Sequence, residues 1–159
     1  MSDVKFGCVM LYFNAPALEI IQESINEDDI HENGLENDPH ITLLYGLHDT
    51  VSLEEVEEII NNYTFGYTFF SDLSLFECEE YDVLKFNPFP TYKFRRINEE
   101  LRTLPNTVTF DEYIPHMTVA YLKKGRGKKY TDIQVLFEVK PKYVMYSLSD
   151  SITQFKIEI

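Results

Sequence analysis

The sequence predicts an α+β fold made of two similar halves. Three observations lead to it. Short apolar runs of strand length are interspersed with segments whose apolar residues recur at helical spacing. Two strand-like stretches, PHITLLYGL at 39–47 and PHMTVAYLK at 115–123, repeat Pro, His, Thr and Tyr at the same offsets. Their histidines, His40 and His116, are 76 residues apart in a chain of 159, the spacing of an internal duplication. This length suits one compact domain over residues 1–159, and no low-complexity segment or long linker divides it.

The elements follow in order. VKFGCVMLYF, 4–13, is apolar on both alternating faces and reads as a buried strand. In APALEIIQESI, 15–25, Leu18, Ile21 and Ile25 fall at helical spacing. NEDDIHENGLEND, 26–38, reads as an acidic loop leading into the first repeated strand. SLEEVEEIINNY, 52–63, opens on a capping box, Ser52 with Glu55, and continues as an amphipathic helix. TFGYTFFSDLSLFECEE and DVLKFNPF read as two strands joined by a hairpin about Glu79 to Asp82. YKFRRINEELRTL, 92–104, is a helix with Phe94, Ile97, Leu101 and Leu104 on one face, stopped at Pro105. After TVTF and the second repeated strand come a basic loop, a short helix near YTDIQVLF, and the strands KYVMYSLS and ITQFKIEI.

Composition narrows the function. Hydrophobic residues at 44% and aromatic residues at 14% exclude a disordered chain. No apolar run has the length to cross a bilayer, and the N-terminal segment lacks a signal-peptide cleavage pattern, so a cytoplasmic location is expected, with no membrane partner. Cys8 and Cys78 read as buried free thiols, too few to build a zinc site. A net charge of −13 repels long nucleic acid, whose binding depends on neutralising phosphates. A small anion in a locally basic pocket is a different case. Five of the fourteen basic residues cluster in KKGRGKK, 123–129, directly after the second repeated strand. That loop is either a solvated surface or an anion contact, with Lys124 the candidate binding residue.

Side chains alternate along a strand, so His40 shares a face with Thr42, and His116 with Thr118. The same parity sends Tyr45 and Tyr121 to the opposite, core face. A single strand histidine is ordinarily structural. Two, each preceded by Pro and followed at plus two by Thr, call for a joint role. If both strands face one cleft, two imidazoles flank one point. A neutral imidazole can accept a proton while a charged one donates it, and the threonine hydroxyls can hold the oxygens where charge develops. That chemistry suits a phosphodiester and needs no metal or other cofactor. His31 and His48 lack ligand spacing, and no carboxylate recurs at a fixed offset from the repeats.

On these residues the chain resembles the two-histidine (2H) phosphoesterase superfamily, defined by paired H-x-[ST] motifs. PHITLLYG and PHMTVAYL both fit, and the element order fits across most of the chain. The resemblance implies a bilobal fold with two antiparallel sheets flanking a central cleft and helices outside. It implies metal-independent hydrolysis of phosphodiesters, with His40, Thr42, His116 and Thr118 as catalytic residues. Within the superfamily the motifs look most like those of the small phage-encoded anti-CBASS branch, which cleaves cyclic di- and trinucleotide immune signals. The alternatives are an enzyme acting on 2′,5′-oligoadenylate, RNA ends or 2′,3′-cyclic phosphates, and a sponge that holds a cyclic nucleotide without cutting it. The chain has no Trp to stack on a base. Tyr12 takes that place as a substrate-binding candidate, with Phe13, Tyr146 and the aromatics of YTFF behind it.

Overall fold

The computed structural model describes residues 6–159. Val4 and Lys5 of the first predicted strand lie outside the described residues. Nine strands and three α-helices follow one another as β1 (Gly7–Phe13), α1 (Pro16–Glu23), β2 (Ile30–Leu35), β3 (His40–Leu47), α2 (Leu53–Ile60), β4 (Thr68–Glu77), β5 (Tyr81–Phe89), α3 (Tyr92–Leu101), β6 (Met117–Lys123), β7 (Leu136–Val139), β8 (Pro141–Ser147) and β9 (Gln154–Glu158). The sheet order is β7-β4-β5-β6-β3-β1-β8-β9, and β2 also pairs with β6. Every described pair is antiparallel. The α+β class therefore stands.

The two separate sheets expected from the resemblance are instead two four-stranded runs joined into one sheet. The join is a single register pair between the motif strands, Ile41 with Met117. The physical reason is the free edge of β6. That edge carries unpaired backbone groups wherever β5 is its sole neighbour. β3 covers it at Met117, and β2 covers it at Ala120 and Leu122. The acidic segment expected to be a loop thus supplies a 3-10 turn at Glu27–Asp29 and then β2. Its two pairings, Ile30 with Leu122 and Leu35 with Ala120, leave Glu32 and Asn33 exposed, so no alternation betrays the strand.

The helices form where the apolar spacing places them. α1 buries Leu18 and Ile21 and leaves Ile20 exposed. α2 begins with the predicted capping box: the Glu55 amide donates to Ser52 Oγ at 3.2 Å, and the Ser52 amide donates to Glu55 Oε2 at 2.8 Å. α3 buries Phe94, Ile97 and Leu101 and ends before Pro105. These side chains pack on Val9, Leu11, Ile41, Leu43, Met117 and Val119 of the central strands, all fully buried. Each large apolar side chain so buried contributes about 1.5–3 kcal/mol. The hairpin turns after β4 as expected, a 3-10 turn at Lys128–Asp132 stands near the expected short helix, and TVTF is a loop. No helix among the described residues is long and apolar enough to cross a membrane.

Candidate active site

The pair Ile41–Met117 fixes the geometry of the motifs. Both side chains are fully buried in the core. Their neighbours on the opposite face are the four motif residues. Antiparallel register sets His40 opposite Thr118 and Thr42 opposite His116. The two histidines are then diagonal neighbours, with Cα atoms on the order of 8 Å apart. That span admits one phosphate group between the rings.

Both rings are oriented by the same device. His40 Nδ1 lies 2.7 Å from the Asp38 carbonyl, and His116 Nδ1 lies 2.9 Å from the Ile114 carbonyl. A carbonyl only accepts, so Nδ1 carries the hydrogen in each ring and Nε2 is the free nitrogen. The proline at minus one disfavours the helical region for the residue before it, the residue whose carbonyl meets the ring.

Each motif strand carries a β-bulge at the same place. Val9 pairs with Leu44 and Met10 with Thr42, leaving Leu43 as an extra residue. Leu84 pairs with Ala120 and Lys85 with Thr118, leaving Val119 extra. A bulge shifts the alternation by one. Tyr45 and Tyr121, expected in the core, therefore turn to the histidine face. Tyr45 is 39% exposed, and Tyr121 is half-buried against Tyr81. A side-chain amide holds each bulge carbonyl: Asn98 Nδ2 of α3 donates to Leu43 O at 2.7 Å, and Gln22 Nε2 of α1 donates to Val119 O at 2.9 Å. Gln22 and Asn98 are also 76 residues apart, so the chain carries this second repeat at the same spacing as the histidines. Past Tyr45 the backbone reaches φ +130° at Gly46, where a Cβ would meet Thr107 O at 2.8 Å, so glycine is required there.

Tyr45 lines a cavity of about 470 Å³ together with Thr42, His116, Phe76, Phe110 and Tyr113. Its walls are aromatic and aliphatic, with Leu44, Val108 and Ile114 beside the rings, and Asn98, Arg102, Glu77 and Glu112 add polar groups. The Tyr113 hydroxyl donates to Thr42 O at 2.7 Å, which ties the 105–116 loop to the first motif. Tyr12 sits across from His40 in the register, with ring centroids 5.5 Å apart, and stacks on Tyr143 at 5.3 Å. Burial, with Asp38 nearby, pushes its hydroxyl up to about 12. Phe76 does the equivalent for His116, edge to face at 4.8 Å.

Other candidates fall elsewhere. Phe13 and Tyr146 are core residues with 1% and 0% exposure, as is Phe70 of YTFF. Tyr67 and Phe69 are exposed. Cys8 is buried and its thiol is pushed up to about 12, whereas Cys78 is half-buried at the cavity wall. Lys124 does not reach the site. It lies eight residues beyond His116 on an extended strand, roughly 25 Å along it. Its ammonium faces Asp82 at 3.4 Å. The basic loop serves buried acids instead: Arg126 and Lys129 both bind Asp29, at 3.3 and 2.6 Å, and Asp29 is 1% exposed.

Arg102 lines the cavity, and a second, buried cation stands by the motifs: Lys85, on β5 directly opposite Thr118. It was legible as the one basic residue in DVLKFNPF, a run otherwise typical of a buried strand. It is 6% exposed. Its Nζ donates to Ser74 Oγ at 2.7 Å and Asn87 Oδ1 at 2.9 Å, and lies 4.5 Å from the Phe76 ring centroid. Burial lowers its pKa. His116 is also lowered, first by burial and then by the Lys85 and His40 charges, against the opposing effect of the Ile114 carbonyl.

No family model matches the chain, and none of the curated proteins matches it. Its fold is similar to that of Usb1 from Kluyveromyces marxianus in two structures, one of them with uridine monophosphate. The two structures align at TM-scores of 0.65 and 0.66, covering 99% of this chain and 99% of theirs, at 7% sequence identity. At that identity the likeness is one of fold.

Proposed function

We propose that this chain is a metal-independent phosphodiesterase of the 2H type, acting on a small nucleotide. The observation that carries the reading is the convergence of both His-x-Thr motifs about Ile41–Met117, each ring with Nε2 free. One Nε2 removes the proton from the attacking hydroxyl. The new P–O bond forms, the bond to the leaving oxygen breaks, and the second imidazolium gives that oxygen its proton. Thr42 and Thr118 donate to the non-bridging oxygens, where negative charge grows. The aromatic cavity beside Thr42 and His116 takes a nucleobase, and Tyr12 flanks the other ring.

Within that reading the substrate is a cyclic di- or trinucleotide, the chemistry of a phage protein that removes a bacterial immune signal. The charge of −13 favours a ligand with few phosphates over a long RNA. A second reading, hydrolysis at an RNA end or of a 2′,3′-cyclic phosphate, is favoured by the uridine monophosphate in one of the structures of similar fold. We also propose that residues 1–159 form one domain whose two halves arose by duplication. The matched bulges, the matched amides of Gln22 and Asn98, and the paired motifs support this.

The test is a panel of cyclic di- and trinucleotides, 2′,5′-oligoadenylate, 2′,3′-cyclic mononucleotides and short linear RNA, with products identified by mass, with and without EDTA. Linear products from cyclic substrates in EDTA support the first reading. Cleavage of linear ends alone moves the assignment to the second. Binding without cleavage marks a sponge, and loss with EDTA restored by zinc overturns the metal-free mechanism.

A further inference from the structure

The two halves of the site share their motif residues and their bulges but differ in the side chain that faces each threonine. Opposite Thr42 stands Met10, which is neutral. Opposite Thr118 stands Lys85, which is charged. Cross-strand partners share a face, so Lys85 lies on the side of His116 and Thr118, and it shares the Phe76 ring with His116. Among the described residues Lys85 makes no salt bridge; its Nζ hydrogen bonds go to Ser74 and Asn87, both neutral. A buried ammonium without a counter-charge is costly to folding, and a neutral side chain of similar size is ordinarily tolerated in such a place.

We infer that Lys85 is the charge that separates the roles of the two histidines: it holds His116 as the neutral proton acceptor, leaves His40 as the proton donor, and adds positive potential where the phosphate binds. The inference rests on the phosphodiesterase reading above and answers a question the motifs alone leave open, since they are identical. Lys85 acts through its field on His116 and on the phosphate, as a positioning residue. The other ionisable groups around His116 are His40 on β3 and Glu77 and Cys78 at the end of β4. Tyr45, Arg102, Glu112 and Tyr113 complete the set from the cavity wall. Burial lowers His116 in the same direction as Lys85, so the base assignment does not depend on the lysine alone.

Two experiments test it. The first uses no substrate: the imidazole protons of His116 and His40 are titrated by NMR in the wild type, Lys85→Met and Lys85→Arg. Lys85→Met is expected to raise the His116 midpoint, and Lys85→Arg to keep it low. The melting temperature of Lys85→Met should not fall, since a buried charge is removed. An unmoved His116 in a folded Lys85→Met protein overturns the coupling. The second uses uridine 3′-(4-nitrophenyl phosphate), whose leaving group needs no proton. His40→Ala should cleave it within about tenfold of wild type while losing about 10²–10⁴-fold on an unactivated dinucleotide; His116→Ala should fail on both. The reverse pattern overturns the role assignment. If His116 follows Lys85 but the protein cleaves no phosphodiester, the roles fall together with the phosphodiesterase reading, and the electrostatic coupling stands by itself.

Discussion

Replacing Asn98 with leucine tests whether the bulge that presents Tyr45 is held from α3. Leucine matches asparagine in size and cannot donate a hydrogen bond. Asn98 is 5% exposed, and its Nδ2 lies 2.7 Å from the Leu43 carbonyl. Leu43 is fully buried, so its carbonyl loses its partner, and an unsatisfied buried acceptor costs about 1–3 kcal/mol. For a domain of this size each kcal/mol lowers the melting temperature by about 2–4 °C, so the expected drop centres on roughly 6 °C. Gln22→Leu removes the corresponding donors to Val119 O and Glu36 O. Gln22 is half-buried, so water can reach the freed carbonyls and the loss should be smaller, below about 1 kcal/mol. Melting followed by circular dichroism gives the stability, and cleavage of the best panel substrate gives the functional cost of a displaced Tyr45. A melting temperature within a degree of wild type, with unchanged turnover, would refute the claim that this amide holds the bulge.

Four further outcomes are expected. His40→Ala and His116→Ala should each cost about 10²–10⁴ in turnover on an unactivated substrate, and the double variant should be little worse, because the pair acts as a unit. Thr42→Val and Thr118→Val should each lower kcat by on the order of 10² with KM little changed; an effect confined to KM would make them ground-state contacts. Neutralising Lys124, Arg126 and Lys129 should weaken the fold through Asp82 and Asp29 and leave kcat/KM within about twofold, read by melting and by initial rates. Hydrogen bonds from Lys129 and Tyr130 hold the Asp29 carboxyl below its ordinary 3.8, so the stability it contributes is present above that value and is lost as pH falls below it. Asp29→Asn should therefore flatten the acid limb of a melting-temperature profile, and an acid limb identical to wild type would show that Asp29 contributes nothing to it.

Much of the architecture is local and so was written in the chain. α2 is declared by Ser52 and Glu55, which satisfy each other's backbone amides without help from elsewhere. α3 is declared by the spacing of Phe94, Ile97 and Leu101 and by the proline beyond it. The four motif residues were legible because they occur twice at one spacing. What the chain does not declare is the irregular pairing that a neighbouring strand imposes. Parity counted from His40 assigns Tyr45 to the core, but parity holds only while the ladder is regular, and the extra residue at Leu43 is a property of its pairing with β1. β2 exists because β6 has an open edge, which its own residues do not state. The basic loop stands beside the second motif in sequence, yet an extended strand carries Lys124 roughly 25 Å from His116. Lys85 is 31 residues from His116 in sequence and joins its face through the register of β5 on β6. The sequence by itself determined which side chains are the candidates for chemistry, because residue type and repetition are carried along the chain. Tertiary structure alone decided what surrounds them, because the field and the walls of a site come from residues that only strand pairing brings together.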